Sequence, residues 1–247
     1  MKTTLLVMAL NEIDGMKAIM PRVLPGWVDQ IVVCDGGSTD GTAEWAAEQG
    51  YTVHVRQKNG FRQGYYEVWP LVEGDVVITF SPDGNSIPEI IPELVAKMRQ
   101  GHDMVIASRY KGEATSEDDD MVTGFGNWLF TKTVNLLFGG SYTDALVIYR
   151  AFRKDLIARL ELDRDENFVL FERLFFCGYR GTSWESLLSA LVAKYGYDVA
   201  EIPASEPPRI GGVRKLRVIN WGGAYYTQFL FEFFKPKKRS RLKPEQT

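Results

Sequence analysis

Two cysteines and two histidines in 247 residues leave little for thiol or soft-metal chemistry. Cys34 and Cys177 stand alone, without a CxxC pair or a Cys/His cluster, so neither a zinc site nor a disulfide framework is indicated. Reduced cysteines in apolar packing fit a cytoplasmic chain. Long apolar runs are missing as well: nothing approaches the ~18 consecutive apolar residues of a membrane span. The apolar start, TTLLVMAL, stops at Asn11-Glu12 with no small-residue cleavage site, so it reads as a buried strand rather than a secretion signal. Strong charge of one sign is absent too. A net charge of −3 argues against a dedicated nucleic-acid binder.

What remains is an ordinary globular mixture, 45% hydrophobic and 25% charged, long enough for one large domain or two small ones. The mild net charge hides an uneven split. The tail KPKKRSRLKPEQT (235–247) carries six basic residues and one acid, leaving a +5 tail on a −8 body.

Short apolar runs rich in β-branched residues fall at 4–10, 30–34, 51–55, 76–80 and 103–108. Runs of this kind suit strands buried on both faces of a parallel sheet. Segments 42–49, 65–73 and 88–100 between them are long enough for crossover helices; Ser86 and Pro88 fit the start of the last one. This alternation predicts an α/β fold with a Rossmann-like, doubly wound, mostly parallel sheet. After Arg109 the rhythm changes. KGEATSEDDD reads as an acidic loop with Asp118–Asp120 on a solvated face; 122–138 reads as a helix, 144–152 as a strand, 154–196 as largely helical and 198–203 as a strand. No linker separates two domains. We expect one domain over 1–234, with a first half to about 110 and a specialised second half from 111, followed by the tail 235–247.

In an open α/β sheet, ligands gather at the carboxyl ends of the strands. Four such tips are polar: Ala9-Leu10-Asn11-Glu12, Asp35-Gly36-Gly37-Ser38-Thr39-Asp40-Gly41-Thr42, Ser81-Pro82-Asp83-Gly84-Asn85 and Ala107-Ser108-Arg109-Tyr110. Each alone is ordinary turn chemistry. Four on one edge point to a binding site.

Here the sequence resembles a known family. VVCDGGSTDGT is similar to the VDDGSxDGT signature of family 2 glycosyltransferases, ALNE to their (A/Y)NE, and SPDGNS sits where they carry an acidic metal motif. GFGNWLFTKTVNLLFG, YTDALVIYRAF and EIPASEPPRIGGVRKLR resemble the second half of polyprenyl-phosphate members, including dolichyl-phosphate mannose synthases. The resemblance runs in order from Thr4 to Arg217 and implies a GT-A type fold. It also implies a nucleotide-sugar donor held by Leu10, Asn11, Glu12, Asp35, Gly37, Ser38, Asp40, Ser81 and Asp83. Asp35 and Asp40 accept hydrogen bonds when ionised, which suits a base N–H or ribose hydroxyls. Asp40 is equally a helix cap, whereas Asp35 has no such alternative employment.

A pyrophosphate calls for Mg²⁺ or Mn²⁺, held by one or two carboxylates plus phosphate oxygens and water. Asp83 and Asn85 are the candidate ligands, with Ser81 standing where the family has its first acid; a plain β-turn is the alternative. The resemblance makes Arg109 the acceptor-phosphate arginine and places further phosphate contacts at Asn127 and Thr131, although the expected arginine near Asn127 is missing. Arg209, Arg214 and Lys215 form a basic loop resembling the family's closing segment; Arg209 and Lys215, on either side of a glycine hinge, are a candidate phosphate clamp, with a solvated charge cluster as the alternative and Arg217 a solvated charge. Asp144 resembles an acid close to the reacting sugar, or else holds Arg150 or Arg153.

The implied reaction is inverting transfer of a sugar to a polyprenyl phosphate, with Asp83, Arg109 and Asp144 as the catalytic set. A phosphomonoester is already largely ionised at pH 7 and needs arginine rather than a base. Neither His54 nor His102 falls at the proposed edge. The alternatives are a hydroxyl acceptor with Glu185 or Asp144 as base, Glu185 being otherwise a first-turn helix acid, and a nucleotide- or sugar-binding protein without catalysis. Aromatics beside lysines and arginines over 216–243 suit peripheral contact with the inner face of an anionic membrane; a core helix with a disordered tail is the alternative.

Overall fold

The computed structural model describes residues 1–178, 180–211 and 218–243. Arg214, Lys215, Leu216 and Arg217 lie outside them.

The chain begins with β1 (Thr3–Ala9), then α1 (Ile13–Ile19), β2 (Gln30–Asp35), α2 (Thr42–Glu48), β3 (Thr52–Val55), α3 (Phe61–Val68) and β4 (Val76–Phe80). It continues through α4 (Ile91–Arg99), β5 (Met104–Ser108), α5 (Met121–Phe138), β6 (Arg150–Arg153), α6 (Leu156–Arg159), α7 (Val169–Leu174), α8 (Glu185–Lys194), β7 (Val199–Pro203) and α9 (Val218–Phe234). The strands form one sheet in the order β3-β2-β1-β4-β6-β5-β7. All pairings are parallel except those of β6, which runs antiparallel between β4 and β5. The mostly parallel, doubly wound sheet expected from the sequence is therefore present. β4 and β5 are buried at every position, consistent with their unbroken apolar sequence.

Chain order reverses on either side of β1 and β4, so their carboxyl ends open a crevice at the switch point. Helix α1 was not foreseen. It packs so closely on the β4 tip that a Cβ on Gly15 would lie 2.3 Å from the Pro82 carbonyl oxygen.

Other boundaries need correction. α3 starts at Phe61 rather than 65 and passes into a 3-10 turn, Trp69–Leu71, around Pro70. Of the expected strand 144–152 only the residues from Arg150 pair, in a strand that ends at Arg153, because residues 144–149 are folded around the side chains of Asp144 and Arg150. Region 154–196 is broken into short helices α6, α7 and α8. α7 and the segments flanking it are tied to α3 by the fully buried Arg62, whose Nη1 donates to Glu172 at 2.6 Å and to Thr182, while its guanidinium lies 4.0 Å from the Phe168 ring centroid. Ser86 makes no cap: neither the 3-10 turn at Pro88 nor α4 has a side-chain cap.

The basic tail is not a free arm. Lys235 pairs with Glu232, Lys238 and Arg241 with Glu161, and Lys243 with Asp103, so four of its six cations are neutralised on the acidic body.

Candidate active site

The tips of β1, β2, β4 and β5 surround a cavity of about 650 Å³, closed on its other sides by α3, α5, α9 and the 181–186 and 204–209 segments. Eight of the expected site residues line it: Leu10, Glu12, Ser81, Asp83, Asn85, Arg109, Asn127 and Arg209. Asn11, Asp35, Gly37, Ser38, Asp40, Thr131 and Asp144 do not line it; Asp35, Thr131 and Asp144 are buried behind its walls, and Asn11, Gly37, Ser38 and Asp40 shape the turns beside it.

The β2 tip shows how. Asp35 is fully buried, and its Oδ2 accepts the N–H groups of Gly37 and Ser38, both at 2.8 Å, while Oδ1 accepts the Ser38 hydroxyl. It therefore has the structural employment that the sequence did not reveal. Gly37 turns with φ +91°, where a side chain would be strained. Ser38 Oγ then accepts the N–H of Asn11, and Asn11 Oδ1 accepts the N–H of Thr39, stitching β2 to β1. Asn11 itself sits at φ 51°, a left-handed position that Asn tolerates better than most residues. Asp40 accepts the first N–H of two helices, its Oδ1 that of Thr42 in α2 and its Oδ2 that of Ile13 in α1, while Gly41 and Glu12 hold the N-cap positions themselves. Those bonds outweigh the upward push of burial and hold its carboxyl below the ordinary range.

At the β4 tip, Asp83 is 4% exposed. Its Oδ1 accepts the Asn85 N–H at 3.1 Å and its Oδ2 pairs with Arg209 Nη1 at 2.6 Å. Arg209 also lies 3.8 Å from Glu12 and 4.0 Å from Asp118, so one guanidinium serves three carboxylates. Asn85 Nδ2 donates to Asp118, leaving its Oδ1 buried and without a hydrogen-bond partner. A carboxylate oxygen beside an orphaned amide oxygen is a donor set that fits a hard divalent cation, with phosphate and water completing it. Among the described residues no group of three or more acidic, His or Cys side chains forms a metal cage.

At the β5 tip, Arg109 is almost wholly buried and held in a bidentate grip, Nε to Asp144 Oδ2 at 2.7 Å and Nη2 to Asp144 Oδ1 at 3.0 Å. Its third nitrogen, Nη1, lies 3.3 Å from Glu206 and 3.9 Å from Asp119. Burial pushes the Asp144 carboxyl up, but Arg109 outweighs it and holds the group below the ordinary range. Asp144 thus serves Arg109, not Arg150 or Arg153, and reaches the cavity only through it. Thr131, at the same level, accepts the Ala145 N–H and sits behind the wall. Both expectations of direct contact, for Asp144 and Thr131, are corrected accordingly.

The acidic loop is also corrected. Asp120 caps α5 by accepting the N–H groups of Val122 and Thr123, while Asp118 and Asp119 face the cavity, Asp119 accepting from the Tyr110 hydroxyl and Asn127 Nδ2. Tyr110, Arg56 and Glu206 were missed as lining or framing groups. Arg56 binds the carbonyls of Gly36 and Gly60, and a cation directly after β3 was the only signal available for it. Cys34 reaches the cavity, but burial pushes its thiol up to about 12, which keeps it protonated and unreactive. Neither histidine lines the cavity.

The crevice at the switch point of this α/β sheet is framed by a glycine-rich turn, acids and arginines. Residues 7–160 match the family model described as glycosyl transferase family 2. The chain belongs to that family. It is 25% identical over 242 residues to an undecaprenyl-phosphate mannosyltransferase of Micrococcus luteus, covering 90% of this chain and 94% of the relative. It is also 25% identical over 251 residues to a polyprenol monophosphomannose synthase of Mycolicibacterium smegmatis, covering 90% and 87%. Among solved structures, glucosyl-3-phosphoglycerate synthase from Mycobacterium tuberculosis, in complex with Mn²⁺, uridine diphosphate and glucosyl-3-phosphoglycerate, superposes with a TM-score of 0.60 at 19% identity, over 96% of this chain and 81% of that one.

Proposed function

We propose that this glycosyltransferase moves one sugar from a nucleotide-sugar donor to a polyprenyl phosphate, with inversion at the anomeric carbon. The observation that carries the reading is Arg109: a buried guanidinium, fixed by Asp144 and lining the same cavity as Asp83 and Arg209. A guanidinium in fixed geometry matches a phosphate. The two relatives named for undecaprenyl phosphate and polyprenol monophosphomannose support the same acceptor.

In this reading an acceptor phosphate oxygen, ionised at pH 7, attacks the anomeric carbon while the bond from that carbon to the diphosphate oxygen breaks. The electron pair leaves with the nucleoside diphosphate, and no proton has to be removed from the acceptor. Arg109 orients the incoming phosphate with Asn127 nearby. Asp83 and Asn85 would hold Mg²⁺ or Mn²⁺, which neutralises diphosphate charge when bound. Arg209, released from Asp83, then clamps phosphate with Lys215. The β1 and β2 tips, shaped by Asn11, Asp35, Gly37, Ser38 and Asp40, form the nucleoside end with Leu10 and Glu12 at the wall.

Peripheral membrane contact is part of this proposal, but through apolar surface more than through the tail. Leu170, Leu174 and Phe176 after and along α7, with Leu230, Phe231 and Phe234 on α9, are exposed, and Phe171 joins the two helices at 5.6 Å from Phe231. Among the described residues no helix is long and apolar enough to cross a membrane.

The test is incubation of the protein with labelled nucleotide sugars, Mg²⁺ or Mn²⁺ and polyprenyl phosphate. A charged, mild-acid-labile glycolipid is expected. Arg109→Ala should abolish its formation while nucleotide binding survives, and undiminished transfer would refute the role.

A further inference from the structure

Glu185 and Ser186 open α8, and both line the cavity although each is only 3% exposed. One oxygen of Glu185, Oε1, accepts the Tyr65 hydroxyl. Its other oxygen, Oε2, has no hydrogen-bond partner, and neither has Ser186 Oγ. Tyr65 is fully buried and stacks on Trp184 at 4.3 Å, so the carboxylate is anchored on one side and open on the other. Buried polar atoms are almost always paired, so two adjacent orphans facing one cavity mark the place of a ligand.

The chemistry of the pair defines the ligand. An ionised carboxylate oxygen only accepts, whereas a serine hydroxyl both donates and accepts, so together they match two neighbouring hydroxyls. A carboxylate repels pyrophosphate, whose charge is matched instead by Arg109, held by Asp144, and Arg209, held by Asp83. Gly222 adds room, since a Cβ there would meet nothing nearer than Phe130 at 4.0 Å. The neutral, hydroxyl-bearing part of the donor fits here, and its charged part does not.

We propose that Glu185 and Ser186 form the subsite that reads hydroxyls of the transferred sugar and so determine which hexose is accepted. The proposal rests on the donor reading given above. It makes Glu185 a specificity residue for the donor, not a base for a hydroxyl acceptor.

Calorimetric titration with UDP, GDP, UDP-glucose and GDP-mannose tests it. Glu185→Gln keeps an amide oxygen for the Tyr65 hydroxyl but puts an NH2 donor where the cavity-facing acceptor oxygen stood, so charge and acceptor are lost together; Ser186→Ala removes the second contact. Both variants should bind the preferred nucleoside diphosphate as the wild type does. Glu185→Gln should bind the matching nucleotide sugar roughly tenfold or more weakly, the loss expected for a hydrogen bond to a charged group, and Ser186→Ala about two- to tenfold more weakly, the loss expected for a neutral one. Unchanged binding of the nucleotide sugar overturns the proposal, even if transfer is lost, because Glu185 then acts on the acceptor. Equal weakening of diphosphate and nucleotide sugar overturns it as well. If Glu185→Gln unfolds, as thermal denaturation would reveal, Ser186→Ala decides alone. A wild type that binds none of the nucleotide sugars refutes the donor reading itself.

Discussion

Replacing Asp144 with alanine should cost this protein stability first and acceptor binding second. Asp144 is fully buried, and its carboxylate makes both close contacts to Arg109, at 2.7 and 3.0 Å, besides accepting the backbone N–H groups of Leu146 and Val147. Without it the guanidinium stays buried, with Glu206 at 3.3 Å and Asp119 at 3.9 Å as weaker partners. Removing one member of a buried ion pair costs about 3–5 kcal/mol. At about 2–4 °C per kcal/mol for a chain of this size, the melting temperature should fall by roughly 6–20 °C. Urea titration of Asp144→Ala, Arg109→Ala and the double variant measures it, and the double variant should lose less than the sum of the singles. The direction of the carboxyl shift adds a pH signature. Asp144 is held below the ordinary range when folded, so its contribution is present at neutral pH and is lost as pH falls beneath that range. The milder Asp144→Asn should raise KM for polyprenyl phosphate while nucleotide binding holds. A loss below about 1 kcal/mol for Asp144→Ala, or strict additivity, would refute the idea that Asp144 works through Arg109.

Two further perturbations probe the frame of the site. Gly15→Ala places a methyl 2.3 Å from the Pro82 carbonyl oxygen, so α1 must shift against the Asp83 turn; nucleotide binding, read by titration, should weaken far more than folding does. Burial pushes Glu161 up, but Arg241 and Lys238 outweigh it and hold its carboxyl at about 2, below its ordinary 4.5. Its stabilisation is therefore present above pH 4.5 and lost as pH falls toward 2. Glu161→Gln should release the tail to trypsin at neutral pH, and its deficit in melting temperature should shrink through that acid window; a constant deficit would contradict the pairing.

The architecture was readable because buried parallel strands write themselves as continuous apolar runs, and the strands β1 to β5 fall within a residue or two of those runs. Six of the eight cavity-lining residues were readable for a related reason, since polar clusters at strand tips share one edge; Asn127 and Arg209 were readable only through the resemblance. What stayed hidden depends on partners far along the chain. Nothing near Asp144 says that its cation is Arg109, 35 residues earlier, and nothing in DGGS says that Asp35 spends its oxygens on the next turn. The acidic run 118–120 looked solvated because its partners, Asn85, Tyr110 and Asn127, belong to other segments. The tail looked like a membrane tag for the same reason: Glu161, Glu232 and Asp103 meet it only in the fold.

The most direct test of the whole account is product analysis after incubation with a nucleotide sugar and polyprenyl phosphate. The account predicts a sugar-1-phospho-polyprenol made by the wild type and not by Arg109→Ala. Transfer to a free hydroxyl with no glycolipid, or glycolipid formation that survives Arg109→Ala, would contradict it.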